Sequence, residues 1–182
     1  PIIEKLEQIS GKKYDSHTES MRVIADHLRA ATFLAVDGCV PSNKQQGYVM
    51  RRLVRRAMVK AFDLGVEQNF LEQIVPVIAD LYHNDFHEVA EKREEIIAIL
   101  IKEEKAFRQT LRKGLQQLQK FADGGLTGEE IFTLYDTYGF PVELSVEEAF
   151  KQDIQLSETW REEFDAKMQE QRQRSQTAAK GD

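Results

Sequence analysis

Five basic side chains set the first chemical question. Arg51, Arg52, Arg55, Arg56 and Lys60 stand at offsets of one, four, five and nine. On a helix they form one broad stripe, with Arg51/Arg55 and Arg52/Arg56 as i,i+4 pairs. Like charges at that spacing destabilise an isolated helix by about 0.2–0.5 kcal/mol per pair. A polyanion relieves the repulsion, and the planar guanidinium fork suits two phosphate oxygens. Lys44 precedes the stripe, and residues 38–62 contain no acid. Two readings stand: a row of contacts to RNA phosphates, or a face that pairs with acids from another helix of the same chain.

Two further segments carry polar groups worth weighing. Pro41-Ser42-Asn43 lies in the loop 38–47, which has glycine at both ends. By itself it reads as a turn, with Asn43 as turn former or helix cap. Tyr135-Asp136-Thr137-Tyr138-Gly139-Phe140-Pro141 places a carboxylate between tyrosines at the end of a helical pattern. The helix dipole disfavours negative charge there, so Asp136 needs a compensating bond. A bridge to one of the arginines is the simplest structural answer.

Other clusters are poorer. His83 and His87 have the i,i+4 spacing of helical metal ligands, but no third ligand or zincin glutamate accompanies them. The expectation is no metal. Arg22, Asp26 and Arg29 read as intrahelical ion pairs. Cys39 and the scattered histidines make no nucleophile arrangement, and no phosphate-loop or dinucleotide motif is present. No catalytic residue is expected in this chain.

The elements that must hold these groups are helical. The chain has 182 residues, 25 Lys and Arg against 31 Asp and Glu, and few Gly or Pro. Acids gather in residues 85–104 and 143–170, so the chain is acidic on average and locally basic. The longest apolar run, Ile96 to Ile101, is far below the roughly 20 residues of a membrane span. One cysteine excludes an internal disulfide framework and fits a reducing compartment, the cytoplasm by default. Pro1 opens the chain without a basic leader or an initiator Met, which reads as processing or excision from a longer chain.

Apolar spacing of three and four predicts a short helix over 2–9, one from about 21 to 38, and one over 48–64 closed by Gly65. Another covers 70–82, where Pro76 should kink it or restart it. A long rod of roughly 50 Å is predicted over 86–121. Capping-box spacing occurs at Ser16–Glu19, Thr127–Glu130 and Ser145–Glu148. A last helix from about Ser157 passes Trp160, Phe164 and Met168 and then loses its apolar face, so its tail should fray. No stretch alternates with period two. The expected fold is all-α, a multi-helix bundle with one long central helix. A break near 123–127 suggests two subdomains: 1–122 with the basic helix and the long helix, and 123–182 with the tyrosine-flanked Asp136.

Three segments together resemble the alanyl-tRNA synthetase family. They are Met21-Arg-Val-Ile-Ala-Asp-His-Leu-Arg29; Asp37-Gly-Cys-Val-Pro-Ser-Asn43 continuing through Gly47-Tyr-Val-Met-Arg-Arg-Leu-Val-Arg-Arg-Ala57; and Leu134-Tyr-Asp-Thr-Tyr-Gly-Phe-Pro141. Glu103 to Gly114 is similar to the family's glutamate-rich stretch. The order and spacing match over essentially the whole chain. Gln46 stands where many relatives have a basic residue, Met50 replaces a more usual Leu, and residues 150–160 match poorly.

The resemblance implies the tRNA-recognition region of an alanine–tRNA ligase, which attaches alanine to tRNA(Ala) using ATP. This region follows the catalytic domain and reads a G·U wobble pair at the third position of the acceptor stem. The reading roles fall on Asn43 and Asp136. A wobble pair leaves the guanine amino group unpaired in the wide, shallow minor groove of A-form RNA. A carboxylate can accept from that group, and an amide can donate or accept. Lys44, Arg51, Arg52, Arg55, Arg56 and Lys60 would then hold phosphates and set register. ATP with magnesium and an editing-domain zinc are implied for the rest of the parent, and no cofactor for this part. The alternative is a helical interaction module without RNA contact.

Overall fold

The computed structural model describes residues 1–181. Among them the order is α1 (Ile2–Ser10), a 3-10 turn (Tyr14–Ser16), α2 (Thr18–Val36), α3 (Gln45–Asp63), α4 (Leu71–Tyr82), α5 (His87–Glu91), α6 (Arg93–Phe121), α7 (Gly128–Asp136), α8 (Val142–Lys151) and α9 (Trp160–Lys180). The fold is all-α, about 75% helical, without a strand among the described residues. None of these helices is long and apolar enough to cross a membrane.

The chain divides into two compact units, Pro1–Gln109 and Thr110 onward. The division falls inside α6 rather than at the glycine pair near 124. The reason lies in the last turns of α6, which pack within the second unit. Thr110 Oγ1 donates to the Tyr138 carbonyl at 2.6 Å. Gly114 lies so close to Phe140 that a Cβ would meet the ring at 2.4 Å.

In the first unit α2 packs along α3. Met21, Ile24, Leu28 and Ala31 of α2 and Met50, Val54, Ala57 and Met58 of α3 are fully buried. Burying each large aliphatic side chain contributes about 1.5–3 kcal/mol. Both helices stop at a glycine. Gly38 (φ 87) and Gly65 (φ 86) adopt the left-handed conformation. At the first, the N–H groups of Cys39 and Gly38 reach Leu34 and Ala35 carbonyls; at the second, those of Val66 and Gly65 reach Ala61 and Phe62. Those bonds satisfy carbonyls that a helix end leaves open.

Several expectations change. The Ser16 box does not form: Ser16 ends the 3-10 turn, α2 starts at Thr18, and the Thr18 hydroxyl donates to the Tyr14 carbonyl at 2.9 Å. Ser145 is buried inside α8, which starts directly after its N-cap residue Pro141, so Ser145 lies beyond the helix start and caps nothing. The Thr127 box forms as the spacing predicts, with Glu130 N–H to Thr127 Oγ1 at 3.2 Å and Thr127 N–H to Glu130 Oε1 at 3.0 Å. α4 runs through Pro76 unbroken, and the carbonyl that loses its partner belongs to exposed Glu72. The long rod is split at Lys92, and α6 alone is about 43 Å long. α9 stays helical to Lys180 despite its polar composition.

Glu104 ties α6 to the start of α4. Its buried carboxylate accepts from the N–H groups of Phe70 (2.8 Å) and Leu71 (3.2 Å), donors that a helix N-terminus leaves open. Burial raises its pKa, outweighing those bonds and the nearby Arg108. A raised carboxyl pKa means stability is full at acid pH and declines as pH rises from the ordinary glutamate value through the raised one. Glu104→Gln keeps an acceptor and removes the titration. Denaturant unfolding between about pH 4 and pH 7 should therefore show a smaller decline for the variant than for the parent chain; equal slopes would contradict the assignment.

Candidate nucleic-acid interface

The loop between α2 and α3 presents Asn43 and Lys44, both exposed. Its shape follows from a close approach. The Ser42 N–H donates to the Gly47 carbonyl at 3.0 Å, folding the loop onto the first turn of α3. A Cβ at Gly47 would lie 2.1 Å from Ser42 Oγ and 2.7 Å from the Val40 carbonyl, so only glycine admits this closure. Gln45 takes φ 51, an uncommon conformation for a side-chain-bearing residue, at the first position of α3.

The basic stripe is not one continuous open face. Arg55 and Lys60 are buried, with about 8% and 7% of their surface exposed. Glu103 of α6, itself buried, accepts from Arg55 Nε at 2.8 Å and from Arg51 Nε at 2.9 Å on the same oxygen. The Arg55 guanidinium also lies over the Phe107 ring, 4.9 Å from its centre. Arg56 and Arg52 are half-buried. Arg56 Nη1 lies 2.7 Å from His27 Nε2. A guanidinium has no acceptor, so the ring must accept there and carry its proton on Nδ1. The stripe thus meets an acid from the long helix, and burial takes Arg55 and Lys60 away from where a phosphate could sit.

Asn43 is tied into the same group. Arg51 Nη1 donates to Asn43 Oδ1 at 2.6 Å. Because arginine only donates, the amide oxygen faces inward and the NH₂ group is directed away from Arg51.

Asp136 belongs to the second unit, as the last residue of α7, and is exposed. Its compensating bond comes from Gln171 of α9, whose Nε2 donates to Asp136 Oδ1. A glutamine rather than an arginine therefore answers the dipole at that helix end. The α7–α9 contact that makes this possible is tight. A Cβ at Gly128 would lie 2.1 Å from the Trp160 carbonyl, and the rings of Phe132, Tyr135 and Phe164 meet tilted or edge-on at centre separations of 5.8 to 6.3 Å. Gln171 was missed in the sequence, although it continues the spacing Phe164, Met168 by three.

His83 and His87 join no metal group: no set of three or more His, Cys, Asp or Glu that could hold an ion exists among the described residues. These residues do not fit a zinc site. His87 pairs with Glu91 at 2.9 Å. Arg29 pairs with Asp26 at 2.8 Å, as the spacing predicts.

The geometry defines a helical module that presents two anchored polar groups, an amide beside guanidinium groups in one unit and a carboxylate in the other. The family model described as tRNA synthetases class II (A) matches residues 1–182. The chain belongs to that family. It is 42% identical over 188 residues to the alanine–tRNA ligase of Halalkalibacterium halodurans, and 42% identical over 187 to that of Streptococcus agalactiae. The alanine–tRNA ligase of Geobacillus kaustophilus is 39% identical over 188 residues. In each case 98% of this chain is covered but only 21% of the relative. The chain spans about a fifth of the length of the curated relatives it matches.

A structural charge pair of this kind has an asymmetric cost. Glu103→Ala leaves the Arg55 cation buried without its carboxylate, which costs about 3–5 kcal/mol. Lys44→Ala removes an exposed side chain and should stay within about 0.5 kcal/mol. Urea unfolding of both variants checks the contrast; similar losses would contradict it.

Proposed function

We propose that this chain is the acceptor-stem-reading part of an alanine–tRNA ligase, an enzyme that joins alanine to tRNA(Ala) with ATP. Alanine activation, with ATP and magnesium, belongs on this reading to a neighbouring catalytic domain of the parent. An editing-domain zinc likewise belongs elsewhere in the parent. The observation that carries the proposal is the anchored, exposed amide of Asn43, which presents donors from a loop bordered by basic residues. Membership of the class II family and the similarity to alanine–tRNA ligases support it.

The two base-reading groups are chemically complementary to a wobble pair. Asp136 accepts, which suits the unpaired guanine amino group; Asn43 donates, which suits an acceptor in the same groove. Lys44, Arg52 and the accessible side of Arg56 serve the phosphates, which fix register without reading sequence. Arg55 ties α3 to Glu103 of α6 instead, and Lys60 is buried. The second reading, a helical module that never touches RNA, draws on that same Glu103 pairing. It leaves the exposed amide without a purpose.

Binding to acceptor hairpins carrying G·U or G·C at the third pair separates the readings. Asn43→Ala or Asp136→Asn should lower preference for G·U by about 1–3 kcal/mol. Equal loss on both hairpins contradicts the base-reading role. Absence of hairpin binding at low salt favours the module without RNA contact.

A further inference from the structure

Arg51 differs from its neighbours in the stripe by what its fork holds. Nε donates to the buried Glu103 carboxylate at 2.9 Å, and Nη1 donates to the exposed Asn43 amide oxygen at 2.6 Å. One planar cation thus links a fixed acid in the interior to a side chain on the surface loop. Glu103 is only about 6% exposed in its side chain and is also held by Arg55, so the interior end of the link is anchored at two points. All three residues belong to the first unit.

We infer that Arg51 is a positioning residue for Asn43 rather than a phosphate contact, with Glu103 as its anchor. The inference rests on the reading of Asn43 as a base-reading group. An unrestrained asparagine amide rotates about its last side-chain bond and offers oxygen or NH₂ with little preference. With Oδ1 turned toward Arg51, the NH₂ group is the part of the amide directed away from the cation and presented to a ligand. The amide becomes an oriented probe that favours acceptors over donors. Discrimination of this kind is strongest when the wrong partner leaves a polar group unsatisfied. A lysine cannot replace Arg51 here, since a single ammonium lacks the rigid fork that spans both acceptors.

The test uses this chain with Arg51→Met and Arg51→Lys, each alone and combined with Asn43→Ala. Arg55 still occupies Glu103 in every variant, so the fold is expected to survive, and thermal melts check it. Affinity for the G·U and G·C hairpins is measured across a salt series. Positioning predicts that both single variants lose about tenfold in G·U preference. It also predicts an unchanged salt slope, and no further loss when Asn43 is already alanine. A phosphate role predicts instead that Arg51→Met weakens both hairpins alike and flattens the slope by about 0.7–0.9, while Arg51→Lys restores binding. That outcome overturns the inference, as does full G·U preference in Arg51→Met. If Arg51→Met fails to fold, the Lys variant decides. A parent chain that prefers neither hairpin defeats the reading of Asn43 itself; a preference that survives loss of Arg51 defeats the positioning role alone.

Discussion

A single buried carboxylate organises the basic half of the molecule. Glu103 takes Nε from both Arg51 and Arg55 on one oxygen, locking α3 to α6. Two guanidinium groups repel each other, and a desolvated acid must be paired; together they satisfy one another in a place where neither could stand alone. Phe107 under Arg55 adds a favourable ring face. From this one anchor follow the burial of Arg55, the reach of Arg51 to the loop, and the orientation of the Asn43 amide. The stripe that looks uniform along the sequence is therefore divided into an inner, cohesive part and an outer, accessible part.

The second unit shows the same economy with different chemistry. Glycines at 114 and 128 remove the Cβ atoms that would keep Phe140 and α9 away. Close approach of α7 and α9 then brings Gln171 to Asp136. A neutral amide donor steadies the carboxylate at an unfavourable helix end without neutralising it. The charge remains available as an acceptor, which an arginine partner would have consumed. In both units a surface group proposed to read RNA is held by a neighbour that fixes its direction.

Much of this was legible in the sequence. Apolar spacing gave the all-helical fold and the glycine stops at 38 and 65, and the Thr127–Glu130 spacing gave a true capping box. Capping-box spacing failed at Ser16 and Ser145, because a 3-10 turn and Pro141 set those helix starts. The long periodic segment hid the break at Lys92, since the apolar pattern runs through it. Helix patterns also placed the arginines on one stripe. They could not divide it, because burial depends on Glu103, about 50 residues away along the chain. Residue type and spacing alone make Asn43 a turn former or helix cap; its proposed base-reading role comes from the family resemblance, and the bond from Arg51 to its amide has no signal in the sequence. Gln171 lay in a tail too polar to suggest packing, and only the close approach at Gly128 explains why it docks.

The division of the stripe has a direct measure in the salt dependence of hairpin binding by the 182-residue chain. Each neutralised phosphate contributes about −0.7 to −0.9 to the slope of log affinity against log salt. Contacts from Lys44, Arg52 and Arg56 alone give a slope of about −2 to −3 on the G·U hairpin. A slope of about −4 to −5 would mean that all six basic residues reach the backbone, and the inner role of Glu103, Arg51 and Arg55 would be contradicted.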